Sequence, residues 1–141
     1  MSCIVNSQRK IEVDTAPFER FVESLVSAVS ETKGRGFAVA FVSDSRMRRL
    51  NGSFRGKKTT TDVLSFPFEP DEFDAGEETL GDVAVSVEQA KKQAAENGLD
   101  LETEIKQLIL HGVLHLCGYD HETDSGEMNS RELELRDMLG I

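Results

Sequence analysis

Tryptophan is absent from this 141-residue chain and tyrosine occurs once, although phenylalanine occurs eight times. The phenylalanines are expected to fill a core, which leaves little aromatic surface for stacking nucleobases. Cysteine is nearly as scarce. Cys3 and Cys117 are too few for a disulfide scaffold, and both are expected to stay reduced. Cys117 follows Leu114-His115-Leu116 and reads as a small buried hydrophobe rather than a metal thiolate. No apolar run approaches the ~18 residues of a membrane span, and no basic N-terminal region feeds a long apolar one. A cytoplasmic protein without a membrane partner is therefore expected. Positive charge is also short: the formal net charge is −10. As an average, that argues against phosphate binding over the whole surface.

What remains is a globular composition, 38% apolar and 30% charged, in a chain long enough to bury its own core. One domain over residues 1–141 is expected. Residues 3–5 and 11–13 read as one edge strand or two short pieces. Pro17 suits the first turn of a helix whose apolar stripe is Phe18, Phe21, Val22, Leu25, Val26 and Val29. Residues 37–42 are apolar on both alternating faces, as in a strand covered by helices. Asp44 or Ser45 is a candidate cap for a short helix over 46–50, and 51–61 reads as a loop. Residues 62–66 form a short strand stopped by Pro67. Glu69, Asp71, Glu72, Asp74, Glu77 and Glu78 mark a solvated acidic loop.

A strand over 80–86 then leads into a helix over 87–97, with Ser86 and Gln89 resembling a capping box. Asp100 caps the next helix, from Leu101 to about Leu116, and Gly118 breaks it. A last helix over about 126–139 has Met128, Leu135, Met138 and Leu139 on its apolar face. This order gives an α+β domain with a small mixed sheet of three or four strands and helices packed on it.

All three histidines fall within eleven residues: His111-Gly-Val-Leu-His115-Leu-Cys-Gly118-Tyr-Asp-His121. On a helix, positions 111 and 115 share a face one turn apart. Gly118 can take a left-handed conformation and turn the chain, so that His121 returns toward the same point. Three imidazoles with a fourth position open are the pattern of a catalytic rather than a structural metal site. A helix followed by a glycine turn is zincin-like. The spacing is also that of the metzincin peptidases, which carry a glutamate directly after the first histidine as general base. Here that position is Gly112, which cannot take a proton. Asp120 and Glu122 flank His121 and are candidates to orient an imidazole; Tyr119 reads as a wall of the turn.

Between 46 and 58 lie Arg46, Arg48, Arg49, Arg55, Lys57 and Lys58 without an acidic residue, so an acidic chain still focuses positive charge locally. Arg46, Arg48 and Arg49 read as the wet face of the short helix, with Arg49, Lys57 and Lys58 as candidate contacts to substrate. Arg55, beside Gly56 in the expected loop, suits a bidentate grip on phosphate.

Three blocks carry a family pattern. They are Leu50-Asn51 through Arg55-Gly56-Lys57 to Thr61-Asp62-Val63-Leu64-Ser65-Phe66-Pro67; Leu80-Gly81-Asp82-Val83; and His111-Gly112 through His115-Leu116 to Gly118-Tyr119-Asp120-His121. In these the chain resembles the YbeY family of bacterial metal-dependent endoribonucleases, along essentially its whole length. Gly112 belongs to that pattern. The resemblance implies a metal, usually zinc, on His111, His115 and His121, and Arg55 as the cleft arginine. It implies single-strand RNA cleavage in maturation of the 16S ribosomal RNA 3′ end and in ribosome quality control. Expected partners are precursor 16S RNA, the ribosome or its small subunit, and ribosomal or GTPase assembly proteins. Asp62 and Asp82 are expected to be structural residues near the cleft. Two other readings stay open: a metallohydrolase of another class, such as a peptidase, against which Gly112 speaks, and an assembly factor with a structural metal. Imidazoles alone do not select zinc over nickel, iron or copper.

Overall fold

The computed structural model describes residues 2–69 and 79–141. The expected acidic loop falls outside these residues except for Glu69. The elements run β1 (Cys3–Asn6), α1 (Ala16–Ala28), a 3-10 turn (Ser30–Thr32), β2 (Gly36–Val42), α2 (Asp44–Arg55), β3 (Val63–Pro67), β4 (Thr79–Ser86), α3 (Val87–Asn97), α4 (Leu101–Leu116) and α5 (Glu127–Leu139). The sheet order is β1-β2-β4-β3. β1, β2 and β4 are parallel neighbours, and β3 pairs antiparallel with β4. The sheet is mixed, as expected, because α1 supplies the long crossover that a parallel β1–β2 pair requires.

Residues 11–13 do not form a strand. The Gln8 side chain takes both backbone groups of Ile11: Gln8 Nε2 donates to the Ile11 carbonyl at 2.7 Å and Ile11 N donates to Gln8 Oε1 at 3.0 Å. Both backbone groups of Ile11 are thus paired locally rather than with a neighbouring strand.

One face of the sheet carries most of the core. Phe37, Val39 and Phe41 of β2 and Val83 and Val85 of β4 pack against Phe18, Val22 and Leu25 of α1 and Ile109 and Val113 of α4. Phe18 meets Phe41 edge to face at 5.2 Å between centroids. Each such side chain contributes about 1.5–3 kcal/mol by leaving water. The other face holds a smaller cluster, Val42, Met47, Leu64 and Ala84, beneath α2. α4, which carries His111 and His115, thus rests on the better-packed face.

α2 differs from expectation at both ends. Its cap is Ser43, whose side chain accepts from Arg46 N at 3.2 Å, whereas the Asp44 carboxylate accepts from the Ser86 hydroxyl at 3.2 Å. The helix also runs on through Asn51-Gly52-Ser53 to Arg55. Gly56 ends it at φ 70°, a left-handed backbone suited to glycine. Asn51 is buried, and its Nδ2 donates to the Thr59 carbonyl at 2.7 Å, which ties down the loop that follows. The segment 51–55 is therefore helix, and only 56–61 is loop. In α5, Met128 and Leu135 are buried as expected, but Met138 is 62% exposed. Among the described residues no helix is long and apolar enough to cross a membrane.

Candidate metal centre

Asp100 starts α4 by accepting from Thr103 N at 2.7 Å, a cap worth about 1 kcal/mol. The helix buries Ile109, Leu110, Gly112, Val113 and Leu114, leaving His111 and His115 half-exposed on the opposite stripe. It stops at Gly118, whose φ of 102° lets the chain reverse while Gly118 N and Tyr119 N still bond to the His115 and Leu114 carbonyls at 3.0 and 3.1 Å. The reversal returns His121 to the other two. One ring nitrogen from each histidine lies within 4.8 Å of the others, and the ring centroids are 4.8, 5.4 and 5.3 Å apart.

The donor chemistry fits a divalent cation. His111 Nδ1 lies 2.6 Å from Glu132 Oε1 in α5, which leaves Nε2 as the ring nitrogen with a free lone pair. Glu132 also receives Arg136 of the same helix. Burial pushes the Glu132 carboxyl up, but the hydrogen bond and charge of His111 with the Arg136 guanidinium outweigh it, and the net shift is downward. Burial, followed by the neighbouring His111 and His121, lowers the His115 pKa and favours the neutral imidazole that a metal needs.

Glu132, rather than Asp120 or Glu122, is thus the carboxylate that holds an imidazole. Asp120 Oδ1 instead accepts from Glu122 N at 3.0 Å. The sequence signal for Glu132 was its place on the buried stripe of α5 with Met128 and Leu135. A carboxylate at such a position requires a buried partner.

Tyr119 does more than wall the turn. Its hydroxyl donates to Glu31 Oε2 at 2.7 Å, and Arg131 of α5 grips both Glu31 oxygens at 2.9 and 3.0 Å. The third-histidine turn is thereby tied to the 3-10 turn and to α5.

Gly112 is a packing glycine. A Cβ there would sit 2.7 Å from Val83 Cγ1 and 3.2 Å from Ser65 Oγ, and the Ser65 hydroxyl donates to the Gly112 carbonyl at 2.8 Å. The position faces the sheet, so a glutamate general base has no room in this packing.

The histidines open onto a cleft of about 640 Å3 shared with Arg55, Phe54, Asp62 and Ser65. Arg55 reaches it from the last turn of α2 rather than from a loop. Its guanidinium lies 3.7 Å from Glu122, an exposed pair of the weak kind that a phosphate can displace. Arg49, Lys57 and Lys58 are exposed but do not line this cleft; Asp82 is exposed outside it. Asp62 does line it. Phe54 was not singled out from the sequence. It is 52% exposed and rests against Phe66 at 4.5 Å between centroids. The cleft therefore has an aromatic face despite the scarcity of tryptophan and tyrosine.

A four-stranded mixed α+β fold with three converging imidazoles and a cleft arginine defines a candidate metal-binding hydrolase. Residues 3–140 match the family model described as endoribonuclease YbeY. A protein of that name from Solibacter usitatus is 46% identical over 123 residues, covering 87% of this chain and 78% of that protein. Another from Carboxydothermus hydrogenoformans is 38% identical over 148 residues, covering 100% and 99%. The solution structure of TM1509 from Thermotoga maritima superposes with a TM-score of 0.64 at 27% identity, covering 99% of this chain and 90% of that one. The chain belongs to the YbeY family.

Proposed function

We propose that the protein is a metal-dependent endoribonuclease that cuts single-stranded RNA in maturation of the 16S ribosomal RNA 3′ end and in ribosome quality control. The observation that carries this reading is the three-imidazole cluster opening onto the same cleft as Arg55. Family membership supports the RNA substrate, since the relatives bear the name endoribonuclease. We read the α4 helix, Gly118 turn and His121 as a zincin-like arrangement. Zinc is the proposed ion, because three neutral imidazoles with an open position suit it. Bound there, such an ion polarises a phosphoryl oxygen and lowers the pKa of a water.

The chain's own residues supply the rest. Arg55 holds the phosphate by its planar guanidinium and offsets charge that develops at phosphorus. Phe54, which lines the same cleft and is exposed, offers a face for an unstacked base. Asp62 lines the cleft, accepts from the Thr61 hydroxyl on its Oδ1 at 3.3 Å, and is the proposed proton acceptor in place of the base that Gly112 lacks. The proposed setting is the cytoplasm, on precursor 16S RNA at the small subunit, with ribosomal or GTPase assembly proteins adding the specificity that one short cleft lacks.

The test follows metal content and cleavage of a precursor 16S 3′-end RNA in wild type, His115→Ala and Arg55→Glu. Loss of metal and cleavage is expected in the first variant. In the second, metal is retained and cleavage falls about 100-fold or more. Unchanged cleavage in both variants would sink the proposal.

A further inference from the structure

The histidines border more than one cleft. His111, His121 and Asp62 also wall a second one, of about 680 Å3, between α3, α4 and α5. The mechanism above does not use it, and its chemistry differs from that of the first. Gln93 and Asn97 of α3, Gln107 of α4 and Asn129 of α5 bring four carboxamides to its walls. Glu104 lies among them at 4% exposure, its Oε1 accepting from Asn97 Nδ2 at 2.9 Å. Among the lining residues the one cation is Arg136. It is already engaged by Glu132, and its Nε is buried without a hydrogen-bond partner.

This composition selects its ligand. Asp62, Glu104 and Glu132 set three carboxylates against one guanidinium, and Glu132 already holds that guanidinium, so the lining offers a phosphate no available cation. A neutral planar ring with N–H donors on its edge is accepted, because carboxamides offer both donors and acceptors and a carboxylate offers acceptors alone. Side chains of these types read the exposed edges of unstacked bases. The first cleft also holds three carboxylates, Asp62, Asp120 and Glu122, but its guanidinium, Arg55, is exposed and only loosely paired, 3.7 Å from Glu122, and so stays available to a phosphate. His111, His121 and Asp62 form their common wall.

We propose that the second cleft is a nucleobase subsite. It takes the base of a nucleotide adjacent to the scissile phosphate and favours a base with an exocyclic amino group. Guanine fits best, since its N1–H and N2–H groups are adjacent donors that meet Glu104. Uracil, with one N–H between two carbonyls, fits least. The identification of the flanking nucleotide rests on the endoribonuclease reading; recognition of the base does not.

Two measurements test it. In the first, the side-chain amide resonances of Gln93, Asn97, Gln107 and Asn129 are followed by NMR as guanosine, adenosine, cytidine or uridine is added. Guanosine is expected to move them most and uridine least. In the second, the metal-loaded protein is given short single-stranded RNAs that differ in one base beside the cut. Gln107→Ala, a change at a half-exposed position, is expected to lower kcat/KM on the guanine substrate roughly tenfold or more, toward the uracil value, with metal content unchanged. Glu104→Gln exchanges an acceptor for a donor and is expected to weaken the guanine preference. Amide resonances unmoved by all four nucleosides, or equal cleavage of all four substrates by the wild type, would overturn the subsite. Nucleoside binding without cleavage of any RNA supports the subsite and counts against the endoribonuclease reading instead.

Discussion

Glu132 Oε1 lies 2.6 Å from His111 Nδ1, and that contact assigns the two ring nitrogens their roles. The carboxylate holds the proton on Nδ1, keeps Nε2 free for a metal and fixes the plane of the ring. Glu132→Gln keeps the shape and removes the charge. Metal affinity is expected to fall about 10- to 100-fold. Competition against a chromophoric chelator measures this, with thermal unfolding of the metal-free protein as a control for folding. An unchanged affinity would remove Glu132 from the metal site.

Gly112 lies against the sheet, and the addition of one methyl group tests that packing. In Gly112→Ala the new Cβ meets Val83 Cγ1 at 2.7 Å and Ser65 Oγ at 3.2 Å. α4 must then lift from β3 and β4, straining the Ser65–Gly112 hydrogen bond. Overpacking of this kind costs about 1–3 kcal/mol. For a chain of this size that is a fall in Tm of roughly 3–10 °C, read by calorimetry. Gly112→Glu, the residue a peptidase carries there, is expected not to fold. A Gly112→Ala protein that melts with the wild type would show the contact to be looser than described.

The metal ligands were legible in the sequence because their geometry is local: a one-turn spacing on a helix, then a glycine that lets the chain reverse. The mixed sheet was legible for a similar reason, since its strands are apolar runs bounded by caps and turns. What escaped was set by contacts distant in sequence. Asn51-Gly52-Ser53 resembles a turn by composition, yet tertiary contacts from Asn51 to Thr59 and from Phe54 to Phe66 keep it helical. Arg55 consequently sits on a helix end. Glu132 lies 21 residues from the histidine it orients, so neighbours such as Asp120 drew attention first. The amide-lined cleft is assembled from three helices, and no single stretch of sequence carries its signature.

Cys117 stands two residues from His115, and its reactivity separates a half-buried thiol from a metal thiolate. Burial, reinforced by the charge of Glu31, pushes its pKa up to about 11. At pH 8 only about one molecule in a thousand then carries the nucleophilic thiolate. Cys3 is exposed. Iodoacetamide at pH 8 is expected to label Cys3 in the folded protein and both residues in urea, as peptide mass spectrometry reports. Rapid labelling of Cys117 in the folded protein would contradict this environment.

Glu31 gives the fold a defined acid sensitivity. Hydrogen bonds from Arg131 lower its carboxyl from the ordinary 4.5 to about 2, against an opposing push from burial, and the Tyr119 hydroxyl adds to the lowering. In the unfolded chain the carboxyl returns to the ordinary value and binds its proton more readily. The stability it contributes is therefore complete above about pH 4.5 and is lost as the pH falls through 2. Glu31→Gln removes this dependence. Its urea midpoint at pH 7 is expected below that of the wild type, and the gap is expected to narrow by pH 3. The Tyr119 turn loses its charged anchor at the same time, so metal affinity at pH 7 is expected to drop severalfold as His121 is held less firmly. A wild type–variant gap that stays constant from pH 7 to pH 3 would assign Glu31 a packing role and leave the Tyr119 turn to hold its shape unaided.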